Sequence, residues 1–531
     1  MASQSKDHAL DHVVVVVFEN RSLDNVLGRL YGPRDGKTFE GVTGRDLTNP
    51  IPDWAEHGAD RKVVPYTVAT DMDSPNPDTG EEYAHTNTQL FNILGEQNRF
   101  KLGEGISAPY NAPEAGRAPT MDGFVTDYIS TLTGELGRQP TYDEYAQVMT
   151  GFTPEQIPVL SGLARAFGVF DHWFSEVPSQ TFTNRSFWTA ATASGFVVNS
   201  PVKNWILAND AETIFNRLEQ HGRTWRVYVA EPDRFSLTGL IHHPRLKDRF
   251  DTHFVPFSQF ETDAGNGDLP DFSFIEPCLV LGHGDYHPAF SRVLGRGVVI
   301  PDVDPPSSIL GGEALLARIY NAYRAMRSPS GSNVWNTTLL IGWDEPGGTY
   351  DHVPPGPVPP PDPSAPAGQL GFMFDRSGYR VPAVVVSPWV AAGQVFNEEH
   401  RHTSLIATLR EQWDLGAPFT ARDAAARTIS HAFTLDTPRD PHTWPTPAPH
   451  PVPRYIEDAL LLGRTLSTLG KAAFEGIRGF ADHHDIRIEG LPDDPRAEVP
   501  PEQALQIMRD FLAIHFPRLV PPTQVRQPPR T

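Results

Sequence analysis

Two stretches of this chain place acids where a strand runs out. Asp344-Glu345-Pro346-Gly347-Gly348 follows the apolar run Asn336 to Gly342, and its two glycines keep the turn open. Near the start, the valines Val13 to Val17 end in Phe18-Glu19-Asn20-Arg21-Ser22. Carboxylates at the C-terminal edge of parallel strands lie where open α/β sheets gather ligands and metals. Oxygen donors from two such edges can converge on one hard divalent cation. A third stretch, Pro178-Ser179-Gln180-Thr181-Phe182-Thr183-Asn184-Arg185, offers hydroxyls just ahead of a helix. A helix N-terminus favours anionic phosphate, and a metal on the same hydroxyl lowers its pKa and makes it nucleophilic. Alone, Thr181 or Thr183 reads as an ordinary N-cap; the acidic edges are what give it a second reading.

Histidines supply the remaining chemistry. His85 and His352 each suit proton donation to a leaving oxygen, or contact with a phosphoryl oxygen. His283, Asp285 and His287 alternate, so on an extended chain they would face one way and ligate a second metal or bind phosphate. A plain polar loop fits the same spacing.

Positioning such groups needs a scaffold. The apolar runs 12–18, 169–170, 224–229, 271–275, 336–342 and 381–386 predict strands, and 157–168, 184–193, 211–220, 310–326 and 402–413 predict helices. This alternation predicts a doubly wound α/β fold with a largely parallel central sheet flanked by helices. Residues 30–150, rich in Gly, Pro, Asp and Asn, read as long loop insertions. The expected organisation is a domain over 1–436, a proline-rich linker over 437–453 and a C-terminal helical extension over 454–531.

Bulk properties narrow the class. A chain of 531 residues exceeds one ordinary core. Its net charge of −21 argues against a general nucleic-acid-binding role, which needs a basic footprint. The lone Cys278 permits no intramolecular disulfide. The opening MASQSKDHALDH lacks a hydrophobic signal region and no apolar run approaches a bilayer span, so a soluble, cytoplasmic protein without integral membrane association is expected, with export by another route left open.

Read together, these residues carry a resemblance. FENRSLD at 18–24, MDGF at 121–124, FDHWF at 170–174, TFTNR at 181–185, DEPGGTYDHVPP at 344–355, VPA with SP at 381–388 and HTS at 402–404 occur in the order of the bacterial phosphoesterases. The chain resembles that family, which includes non-specific phospholipases C and acid phosphatases within the alkaline phosphatase superfamily. The resemblance implies an alkaline-phosphatase-like fold. It implies a metal held by Glu19, Asn20, Asp344 and Glu345, and a nucleophile at Thr181 with Asn184 beside it. Oxygen donors of this kind favour Mg²⁺, Mn²⁺ or Ca²⁺, with Zn²⁺ or Fe admitted by nearby histidines. His85 and His352 are expected in catalysis, and His287, His283, Arg401 and His402 at the phosphate. Pro346 and Arg401 depart from the family pattern, which commonly has His and Asp there. The implied activity is hydrolysis of a small phosphoester or phospholipid head group through a phospho-threonine, as phosphodiesterase or phosphomonoesterase. The alternatives are a catalytically weak phosphoester-binding protein of the same fold, or a phosphotransferase.

Overall fold

A run of valines cannot alternate between a wet and a dry face, so a strand made of them has to be covered on both. Val13 to Val17 are buried at the centre of an eight-stranded sheet in the computed structural model, which describes residues 5–231, 236–279, 284–289, 309–452 and scattered positions within 293–299 and 474–510. The strands are β1 (His12–Phe18), β2 (Gly168–Phe170), β3 (Trp225–Val229), β4 (Phe254–Pro256), β5 (Phe272–Glu276), β6 (Thr337–Trp343), β7 (Ala383–Val386) and β8 (Gln394–Phe396). They lie in the order β8-β2-β7-β6-β1-β5-β3-β4. β7 alone runs antiparallel to its neighbours in this sheet. The fold is thus the expected largely parallel sheet flanked by helices.

The register matters more than the count. β1 and β6 are parallel neighbours, with Phe18 opposite Trp343. The next residues, Glu19 and Asp344, therefore leave the sheet side by side, and Asp344 N–H donates to the Phe18 carbonyl at 3.0 Å. Gly342 is needed just below, because a Cβ there would stand 2.7 Å from the Trp188 ring.

The helices that matter to the site are α1 (Leu23–Val26), α2 (Tyr83–Phe91), α3 (Phe124–Leu136), α4 (Pro158–Ala166), α5 (Thr181–Ala190), α6 (Ile309–Ala325) and α7 (Thr403–Gln412). Three features depart from the sequence-based expectation. The edge strands β4 and β8 are too short to announce themselves. The region expected as loops, 30–150, contains α2 and α3. Every residue of α2 is buried, as is α3 from Phe124 to Leu132, so neither shows the one-sided apolar stripe by which helices are recognised. Together they anchor a separate apolar cluster with Tyr350 and Tyr379. Lastly, α5 opens at Thr181 rather than Asn184, with Gln180 as its N-cap.

The proline-rich stretch after 436 is pinned to the sheet domain: Trp444 is buried edge-on against Phe167, with ring centroids 4.8 Å apart. Most of the expected C-terminal helices lie outside the described residues. Among the described positions there, Phe474, Ile477, Ala504 and Ile507 are buried in the main core. No helix among the described residues is long and apolar enough to cross a membrane.

Candidate active site

The acids at the ends of β1 and β6 meet around one arginine. Arg185, on α5, donates from Nε to Glu19 Oε1 at 2.8 Å and to Asp344 Oδ2 at 3.2 Å, and from Nη2 to the Val17 carbonyl at 2.9 Å. Asp344 Oδ1 accepts from the backbone N–H of Glu345 at 2.7 Å and of Asn20 at 3.3 Å. Glu345 Oε2 accepts from Gly347 N–H at 2.7 Å. Asn20 holds φ 56°, a left-handed backbone that asparagine tolerates well. Gly347 packs so closely on it that a Cβ would sit 2.5 Å from the Asn20 side chain. Glu81 and His287 complete the group by accepting from the Asn20 amide, His287 Nε2 at 3.0 Å.

This cluster holds more acid than base. Burial, then the charge of Glu19, raises the Asp344 carboxyl well above the ordinary range despite the counter-pull of Arg185. Burial and the charges of Glu81 and Asp344 do the same to Glu345. Burial, with Glu82 and Glu19 nearby, pushes Glu81 up to about 8. Glu19 Oε2, Asn20 Oδ1 and Glu345 Oε1 are buried oxygens without hydrogen-bond partners. Unpaired oxygens amid raised carboxyls are the donor set a hard divalent cation takes, so the residues expected as ligands fit one.

The two hydroxyls near the start of α5 differ in what surrounds them. Residues four apart share a helical face, so Thr181 lies one turn N-terminal to Arg185 on the same face of α5. Thr183 instead donates to the Phe196 carbonyl at 3.1 Å. Asn184 is spent on the approach to the helix: its Oδ1 accepts from Glu176 and Val177 N–H, each at 3.0 Å, and its Nδ2 donates to the Ser179 carbonyl at 2.7 Å. It therefore shapes the loop that presents Thr181.

The histidines divide by their partners. His85 donates to Asp127 at 2.8 Å; burial works against its charge, but Asp127, with Glu82 and Glu135, holds it up at about 9. His287 is pushed down to about 4 chiefly by burial, and its Nδ1–H donates to the Pro288 carbonyl at 2.8 Å. His402 accepts from Trp173 Nε1–H at 3.2 Å and donates from Nε2 to the Asp344 backbone carbonyl at 2.5 Å. With both ring nitrogens taken and its ring stacked on Trp188, it braces Asp344 from behind rather than reaching toward phosphate. Arg401 likewise turns to Glu399. His283 lies outside the described residues. Between Asp285 and His287 the expected alternation does not hold, because Tyr286 takes φ 71° and breaks the extended run.

His352 belongs to a second cluster. It shares Asp24 Oδ2 at 2.6 Å through Nδ1 and reaches Glu40 at 3.3 Å through Nε2. Arg380 completes this group, donating to Asp351 Oδ1 at 2.9 Å, Asp24 Oδ1 at 3.0 Å and the carbonyls of Glu40 and Asp171 at 2.8 Å each. Among the described residues, Asp24, Asp351 and His352 are the trio whose ligand atoms lie within 4.8 Å of one another. Arg380 and the backbone already occupy those atoms, which argues for a structural ion-pair knot. Burial, then Arg380 pulling down and Asp24 pushing up, leaves Asp351 at about 6. Burial disfavours charge on His352, but Asp24 outweighs it and the ring is raised. None of these partners hydrogen-bonds to Glu19, Asn20, Asp344 or Glu345.

Sequence reasoning passed over Arg185, Glu81 and Arg380. Arg185 had a signal in its spacing from Thr181. Glu81 and Arg380 had none, since their partners are distant in the chain. Glu313, outside both clusters, caps α4 by accepting from Val159 and Leu160 N–H at 2.7 and 2.9 Å.

The chain is similar to known proteins over most of its length. The model of the Phosphoesterase family matches residues 10–416. Non-specific phospholipase C6 of Arabidopsis thaliana is 33% identical over 85% of this chain and 77% of its own length. Non-specific phospholipase C1 of the same plant is 31% identical, covering 80% and 72%. Phospholipase C B of Mycobacterium tuberculosis is 24% identical, covering 81% and 79%. Among solved structures the likeness is remote: a phosphonate monoester hydrolase of Agrobacterium radiobacter aligns over 54% of this chain and 74% of its own at 14% identity and a TM-score of 0.30.

Proposed function

The chain belongs to the Phosphoesterase family and is a hydrolase of phosphoric esters; on that premise we propose that it works through a phospho-threonine at Thr181 beside a divalent cation. The observation that carries this reading is Arg185, which ties the α5 face bearing Thr181 to both Glu19 and Asp344.

Glu19, Asn20, Asp344 and Glu345 would hold the cation, which supplies charge neutralisation at phosphorus and lowers the pKa of an adjacent hydroxyl. Thr181 releases its hydroxyl proton to solvent, and its Oγ forms the bond to phosphorus as the bond to the ester oxygen breaks. The departing alcohol takes a proton, for which His85 is our assignment: its ring is charged at neutral pH through Asp127, whereas His352 is bound into the Arg380 knot. Water then cleaves the Thr181 ester, releasing the phosphoryl product and restoring the hydroxyl. His287, with Nδ1–H on the Pro288 carbonyl and Nε2 accepting from Asn20, has no donor left for a phosphoryl oxygen and serves the Asn20 amide instead. The names of the relatives favour a phosphodiester with a lipid alcohol as substrate.

The test is acid quenching during turnover of p-nitrophenyl phosphorylcholine and of p-nitrophenyl phosphate, in protein stripped of metal and then supplied with Mn²⁺ or Mg²⁺. We expect a phosphorylated peptide spanning Thr181, formed only with cation present. Turnover without any modified peptide, and undiminished in Thr181→Ala, would point to direct attack by water.

A further inference from the structure

Asn20 is an ambiguous ligand by nature. Its amide has two ends of nearly equal shape, and only the oxygen can bind a cation. Two acceptors settle the orientation. Glu81 Oε2 takes one amide hydrogen, and His287 Nε2 takes the other at 3.0 Å. His287 has to accept there, since its Nδ1–H is spent on the Pro288 carbonyl at 2.8 Å. Turned over, Asn20 would face both acceptors with its oxygen. As it stands, Oδ1 is buried with no hydrogen-bond partner, as are Glu19 Oε2 and Glu345 Oε1.

Glu81 also reaches the other side of the site. Its Oε1 accepts from Gln180 Nε2 at 3.3 Å, and Gln180 Oε1 in turn accepts from Asn199 N–H at 3.0 Å. Gln180 is the N-cap of α5, immediately before Thr181. One carboxylate thus joins the loop that presents Asn20 to the loop that presents the hydroxyl.

We infer that Glu81 is a positioning residue that orients the Asn20 amide toward the cation and ties it to the Thr181 loop. This rests on the reading of Glu19, Asn20, Asp344 and Glu345 as cation ligands. Glu81→Ala removes both bonds. Glu81→Gln keeps the volume, but one end of its amide meets Asn20 or Gln180 with the wrong polarity.

The experiment is calorimetric titration of the metal-stripped full chain with Mn²⁺, in wild type, Glu81→Ala, Glu81→Gln, Glu82→Gln and Glu19→Gln, each checked for fold by circular dichroism. Loss of an outer partner of a ligand weakens metal binding by about 10–100-fold. We expect a loss of that size for Glu81→Ala, a smaller loss for Glu81→Gln, and little change for Glu82→Gln, which removes a neighbouring carboxylate without touching Asn20. Unchanged Mn²⁺ affinity in Glu81→Gln and in any folded Glu81→Ala would overturn the proposal. So would an equal loss in Glu82→Gln, which would make the effect one of charge alone. Glu19→Gln keeps the two readings apart: if wild type binds Mn²⁺ no better than Glu19→Gln, the ligand assignment itself fails. A supporting readout is Mn²⁺ dependence of turnover, where the Glu81 variants should recover most of kcat at saturating cation.

Discussion

The loops after β1 and β6 run side by side and build two charge clusters, one at each end. Around Arg185 stand Glu19, Asp344, Glu345 and Glu81, against one permanent cation. Around Arg380 stand Asp24 and Asp351, with His352 as a second base. The first leaves three buried oxygens unpaired. In the second, every Arg380 donor is engaged. Both are buried and both look like metal sites in a list of residue types. The difference lies in what is left over. A cluster whose charges and hydrogen bonds close on themselves holds the fold together, while one that remains acidic and unsatisfied awaits a ligand. Sequence reasoning put His352 with chemistry because its motif is contiguous with Asp344; the structure pairs its ring with Asp24 and Glu40.

Thr181→Ala is the sharpest probe of the contrast. Removing a nucleophile should lower kcat by about 10⁴-fold or more, with thermal unfolding unchanged. Retained activity would take the first cluster's chemistry away from α5. Arg380→Met tests the other side. Breaking a buried pair by removing one partner costs about 3–5 kcal/mol, so chemical denaturation should show a large loss of stability while Mn²⁺ bound per chain stays at the wild-type level. A fall in bound metal without loss of stability would mean the Arg380 cluster is the metal site.

The His352 prediction is about pH. Asp351, at about 6, and the raised His352 both hold protons more tightly in the folded chain. Stability then falls as pH rises, across the window from the ordinary carboxylate range to about 6 for Asp351 and from the ordinary imidazole value upward for His352. The His352 share is fully present below pH ~6.5 and is lost above it. Unfolding free energy of wild type minus His352→Gln should therefore shrink between mildly acidic and alkaline pH; a difference that grows would reverse the assignment of the ring as a cation. The smallest effect is expected from Thr183→Ala. It loses one hydrogen bond to the Phe196 carbonyl, about 1 kcal/mol, and should leave kcat at the wild-type level. A collapse of turnover here, with Thr181→Ala active, would move the nucleophile by two residues.

Much of this was legible in the chain, for local reasons. A strand such as Val13 to Val17 declares itself by composition, and glycines after Asp344 mark an open turn. Adjacent acids at two strand ends therefore stood out. The helices α2 and α3 did not, because burial on every side erases the periodicity that marks a helix. Glu81 lay in a stretch that read as an insertion, with nothing in its neighbours to link it to Asn20.

The sequence by itself determined the inner strands of the sheet, the acids at the ends of β1 and β6, the family motifs and the presence of two hydroxyls near a helix start. Tertiary structure alone decided that the Thr183 hydroxyl is spent on the Phe196 carbonyl, which arginine neutralises which carboxylates, and which way the Asn20 amide turns. The physical reason is distance along the chain. Arg185 meets Glu19 across 166 residues and Arg380 meets Asp24 across 356. Strand formation depends on the composition of a few neighbours. Whether a buried carboxylate is paired or left open depends on partners that only the folded packing brings within hydrogen-bond reach.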